Sequence, residues 1–194
     1  MTGSPGMRRI SLFCLKFIGF LAVFLFLWWW KVQPAYAGLI GSIAGTILKI
    51  TTSIPIEATQ VEVDPAGVLS TKTALVFIVQ QGRYPFDIAS LIANIPPFWA
   101  LVLATPGLAV KRLIKVLLIG TGILGAGHVL FLVLVFVFAR QVQETPEVPT
   151  AIGLFLMTLP FMLWIVLAYW DKLVLLFEEP GESPAKEEKA PPSE

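Results

Sequence analysis

The chain has 194 residues, 56% hydrophobic and 14% charged, against about 25% charged in an average soluble domain. A net charge of +1 gives no basic footprint for a nucleic-acid partner, and the single cysteine, Cys14, excludes an internal disulfide and a cysteine metal cluster. A mean hydropathy of +0.80 predicts an all-α membrane protein with the lipid bilayer as its first partner.

In chain order, a short cytoplasmic N-terminus (1–9) carries Arg8 and Arg9 and leads into a first predicted span, 10–30, "ISLFCLKFIGFLAVFLFLWWW". About 20 apolar residues suffice for a helix to cross the hydrocarbon layer. Trp28, Trp29 and Trp30 would end this span at the outer face, where indole rings favour the headgroup zone. The tripeptide Ala35–Ala37, "AYA", also fits a signal-peptide cleavage site, but the long apolar run, the three tryptophans and Lys31 favour an uncleaved helix.

The segment 31–85 is expected outside the membrane. Leu39, Ile40, Ile43, Ala44, Ile47 and Leu48 recur at helical spacing, which predicts an amphipathic helix on the outer surface, weakened by Gly38, Gly41 and Gly45. "PIEATQVEVDPAGVLSTKTALVFIV" then alternates and turns as a small β-hairpin does.

A second span is predicted at 86–108, a basic cytoplasmic loop at 109–115, a third span at 116–139, an outer loop at 140–150 and a fourth span at 151–176. Arg8, Arg9, Lys16, Lys111, Arg112, Lys115 and Lys172 put both termini inside. The tail 177–194 is rich in Pro, Glu, Lys and Ser and is expected to be disordered. Pro160 predicts a kink in the fourth span.

Gly120, Gly122 and Gly125 form G-x-G-x-x-G, but they lie inside a continuous apolar run. A dinucleotide site needs a strand before such a turn and free amides at a helix start, so no nucleotide and no other cofactor is expected. Gly120, Gly122, Ala126 and Gly127 instead predict a face where another helix approaches closely.

His128, the only histidine, lies within the third span, about 16 Å from its outer end, and Asn94 lies about 12 Å deep on the antiparallel second span. Matching depths predict a hydrogen bond between them. A proton-transfer or substrate-contact role for His128 is the rival reading. Asp87, Ser90 and Asn94 share i, i+3, i+7 spacing, one stripe of a helix, above Pro96 and Pro97. With His128 they form a candidate polar cleft between the second and third spans.

No metal-binding or nucleophile motif accompanies these residues. Cys14 is expected near the inner face, far from His128, and Asp87 and Asp171 fall at opposite ends of their spans. No catalytic and no metal-binding residue is therefore predicted.

"FLFLWWWKVQPAYAGLI", the outer helix-plus-strand segment, and "PPFWALVLATPGLAVKRLIKVLLIGTGILGAGHVLFLVLVFVFA" with its Ala104-Thr105-Pro106 and Arg112 loop resemble the exosortase H-associated membrane protein family. The resemblance covers about residues 8–177 and rests on patterns of hydrophobicity and position. It implies a non-catalytic companion of an exosortase, in contact with that enzyme or its sorted substrate, in the bacterial inner membrane. The exosortases' own catalytic pattern is not carried over: the second span lacks a cysteine and the third lacks N-x-x-R. A small transporter or channel subunit using the polar cleft is the alternative, and a divergent sortase-like enzyme comes last.

Overall fold

The computed structural model describes residues 5–52, 56–64, 72–80, 82–139, 145 and 147–177. The chain is mostly helical, with three helices long and apolar enough to cross a membrane and one three-stranded sheet.

The first helix is much longer than expected. α1 (Pro5–Leu27) passes through a π-helical turn (Trp28–Val32) into α2 (Gln33–Thr51) without a break. Pro34 explains the wide turn. It has no N–H to give, and its ring would press on the carbonyl four residues back, at Trp30. In the π turn the amide of Gln33 bonds to the carbonyl of Trp28 instead, so the ladder slips by one residue and goes on. The amphipathic segment expected to lie on the outer surface is thus the continuation of the first helix. Ala35–Ala37 sits within this helix, with Ala37 fully buried.

The slip sets which face of α2 turns inward. Trp28, Gln33, Ala37, Ile40, Gly41, Ala44, Gly45 and Leu48 are buried, a stripe that opens with a five-residue step across the π turn. Gly38, Gly41 and Gly45 weaken helix propensity, yet here they make room for the sheet. A Cβ at Gly41 would collide with the side chain of Leu75, and one at Gly45 would come 2.8 Å from Thr59 Oγ1.

The expected hairpin is a meander of three antiparallel strands: β1 (Ile56–Asp64), β2 (Lys72–Val79) and β3 (Gly82–Asp87), in that order across the sheet. Thr59 pairs with Phe77 and Phe77 with Tyr84. This face meets α2 through the glycines, and it meets the C-terminal end of α5 (Val110–Val137) through Phe77 and Tyr84 on Phe136 and Phe86 on Phe131.

The second predicted span, 86–108, is the largest departure. Its first two residues close β3. Two short helices follow, α3 (Ala89–Ile92) and α4 (Ile95–Ala104). The ten residues of α4 rise only about 15 Å, half a bilayer core. Pro96 and Pro97, read as a kink, open α4, where a missing N–H costs nothing. The sheet thus stands where the outer half of that span was expected.

The basic residues Lys111, Arg112 and Lys115 belong to the first turns of α5, not to a loop. The fourth predicted span lies in α6 (Glu147–Phe177). Its backbone leaves helical geometry at Tyr169 (φ −113, ψ 16), not at Pro160. The tail from 178 onward, residues 1–4 and most of the 140–146 connection lie outside the described residues.

Contacts fix the helix directions. Phe98 of α4 covers Gly120 and Leu156 of α6 faces Gly127, while Thr105 and Tyr169 both lie beside Arg112. α4 and α6 therefore run antiparallel to α5. α2 runs parallel to it, with Tyr36 beside His128 and Ile47 lining the same groove as Val133.

Candidate functional site: a buried polar layer and a lateral groove

The polar side chains of the interior gather where the helix breaks occur. Asn94 stands in the turn between α3 and α4 and is 4% exposed. Its Nδ2 donates to the carbonyl oxygen of Leu156 at 2.8 Å. That carbonyl lies four residues before Pro160, so the helix itself offers it no amide. The proline leaves an acceptor in the core and Asn94 satisfies it, which is how buried backbone groups avoid a desolvation penalty.

His128 is fully buried on α5. Its Nδ1 lies 3.0 Å from the hydroxyl of Tyr36, with the rings edge to face at 5.9 Å. The expected partner, Asn94, is taken by Leu156. Tyr36 reaches His128 because Gly125, one turn below, leaves room: a Cβ there would sit 3.3 Å from the hydroxyl.

Trp28 packs on Tyr36 (5.5 Å between centroids) and on Trp99 (6.0 Å), and Trp99 Nε1 donates to Thr121 Oγ1 at 2.8 Å. Nearer the basic end, Trp164 Nε1 donates to Thr105 Oγ1 at 2.7 Å, and Thr105 in turn donates to the Leu101 carbonyl. Indole N–H groups inside an apolar bundle need such acceptors. Four buried atoms of this layer have no protein partner: Trp28 Nε1, Gln33 Oε1, Asn94 Oδ1 and His128 Nε2.

The four residues of the candidate cleft fall on different elements. Asp87 ends β3, and its Oδ1 accepts the amide of Ala89, the first residue of α3, at 3.1 Å. Ser90 is exposed on α3. Asn94 and His128 are both buried, Asn94 bonded to the carbonyl of Leu156 and His128 next to Gly127, which the Leu156 side chain faces. A single helical stripe does not form, because the strand runs to Asp87.

The glycine-rich face divides in two. Gly120 is filled by the ring of Phe98, so closely that no Cβ fits, and Gly127 has Leu156 Cδ2 3.1 Å from where a Cβ would stand. Gly122 has open space in front of it. Together with Ala126 it lines an apolar groove of about 680 Å³ between α5 and α2, walled on the other side by Tyr36, Leu39 and Ile43.

Tyr36, Gln33, Trp28 and the Trp99–Thr121 and Trp164–Thr105 pairs were not singled out as site residues from sequence, where Trp28 was read only as a headgroup anchor. The signal for the first three was Pro34 just after an apolar run, which announces a widened turn as well as an exit from the membrane. Among the described residues no group of three or more His, Cys, Asp and Glu gathers. No family model, curated protein or solved structure matches the chain.

Proposed function

We propose that this chain is a non-catalytic accessory protein of the bacterial inner membrane, both termini cytoplasmic, serving an exosortase-type protein-sorting or envelope-export system. The observation that carries the reading is the burial of the polar layer. His128 Nδ1 meets Tyr36 and Asn94 Nδ2 serves Leu156, and both side chains are buried. An ionisable group that moves protons or touches cargo must meet water or that cargo. Here the same groups join helices, as they do in a scaffold. The sorting context comes from the resemblance in "FLFLWWWKVQPAYAGLI" and the α4–α5 region.

A second reading, a small transporter or channel subunit, draws on the unpartnered atoms of Gln33, Asn94 and His128, which would suit a polar path in another conformation. One experiment separates the two. The gene is deleted in its host, and processing of sorted surface proteins is measured with wild-type and His128→Gln chains restored. The accessory reading expects processing to fail on deletion and to return with both chains. Unchanged processing after deletion would remove the sorting role. A stable His128→Gln chain that fails to restore it would move the role to His128, and proton flux in proteoliposomes would then test the transporter.

A further inference from the structure

The sheet has two edges, and they are finished differently. β3 is six residues long, carries Pro85, and lays Tyr84 and Phe86 against α5. Proline on an outer strand and coverage by a neighbour are common ways of blunting an edge. β1 has neither. It is nine residues long with no proline and no lysine or arginine, IEATQVEVD.

Among the described residues nothing pairs with its outer side. Burial agrees with an open edge. In the central strand Leu75, Val76 and Phe77 are all at most 2% exposed. In β1 even Thr59 and Val61, which face α2, remain partly exposed, and Glu57, Gln60, Glu62 and Val63 are exposed.

Beyond the register shift between Ile56 and Ala58, alternate residues of the strand direct their N–H and C=O groups away from β2, a row that can receive one more strand. The charge of that row selects the partner. Glu57, Glu62 and Asp64 lie along β1 with no basic residue between them. Among the described residues, the ion pair that β1 makes is Glu62 with Arg83, which reaches it from the far side of the sheet.

We propose that the outer edge of β1 is a strand-addition site for an extended, basic peptide segment of another protein. Main-chain hydrogen bonds supply the attachment, and lysine or arginine side chains at alternate positions meet Glu57 and Glu62. The surface stands independently of the accessory role, since it needs only the folded sheet.

The test uses the full chain in nanodiscs and three eight-residue peptides. One alternates Lys and Thr, one is the same peptide with every backbone nitrogen methylated, and one alternates Glu and Thr. Binding is read by fluorescence anisotropy, and the contact is located by amide hydrogen exchange. The Lys peptide is expected to bind at least about tenfold more tightly than either other peptide and to slow exchange in 57–63 but not in 82–87. The Glu57→Gln, Glu62→Gln chain, whose edge amides remain, is expected to lose several-fold affinity for the Lys peptide and to keep its protection pattern. Equal binding of the methylated peptide, equal binding of the Glu peptide, or protection confined to 82–87 would overturn the proposal.

Discussion

Asn94 and Leu156 are joined by a hydrogen bond that exists because of a third residue. The Asn94 amide occupies the carbonyl that Pro160 cannot serve. A side chain in a helix break on one element thus completes the backbone of another, and the two irregularities hold each other in place.

That relationship makes a quantitative expectation. Asn94→Ala leaves the Leu156 carbonyl buried without a donor, at about 1–3 kcal/mol. In a Pro160→Ala background the helix regains its own amide, so the same substitution should cost clearly less. A double-mutant cycle by thermal or chemical unfolding in detergent should return a coupling of about 1 kcal/mol or more. Additive losses would mean that Asn94 does not serve the proline gap.

The glycines of α5 should divide as their surroundings do. Gly120→Ala pushes a methyl into the Phe98 ring and should lower stability by about 1–3 kcal/mol. Gly122→Ala faces open space and should be neutral or slightly stabilising, since alanine is the better helix former by up to about 1 kcal/mol. Melting of the two variants side by side checks the pair, and equal losses would contradict the packing described for Phe98.

Tyr36→Phe removes the hydroxyl that meets His128 Nδ1 and leaves a buried ring nitrogen unpaired, a loss of about 1–3 kcal/mol. The Tyr36→Phe, His128→Leu chain, with both polar partners gone, should recover part of it. Unfolding midpoints of the single and double variants decide this. Recovery would identify the pair as structural, and a double variant weaker than either single would point to a further polar partner of the layer.

The proposed orientation places the sheet outside and the start of α5 inside. In a Cys14→Ser chain, cysteine at Glu62 should react with an impermeant thiol reagent added to intact cells, and cysteine at Lys111 only after the membrane is opened. The reverse pattern would invert the orientation.

The apolar runs of α1, α5 and α6 were legible because each reaches bilayer length, which is all that criterion asks, whereas the continuation of α1 into α2 was not. The helical spacing of Leu39 to Leu48 was equally readable, since it is carried by bulky side chains. The second span was misread for a physical reason. "GRYPFD" runs straight into "IASLIANIPPFWALVLA", and apolar content does not say where strand becomes helix.

Within the candidate site, the burial of His128 and Asn94 was readable and their partners were not. The partners are a tyrosine brought inward by a widened turn and a carbonyl exposed by a proline, and both are products of backbone irregularity rather than of residue type. The close-approach glycines of α2 were read as a weakness of the helix because their counterpart, Leu75 and Thr59, sits on another element.

The widened turn at Trp28–Val32 also acts as a phase shifter. An α-helix advances about 100° per residue, so removing one residue from "WWWKV" would let the ladder close as an ordinary helix and turn everything beyond it by about that angle. Gly41 and Gly45 would leave the sheet, Tyr36 would swing away from His128, and larger side chains would meet the strands. The number of residues between Trp28 and Pro34 is therefore a fixed length in this protein, more constrained than the identity of the exposed Trp30 and Lys31 within it. An insertion or deletion there should be far more damaging than a substitution at either exposed position.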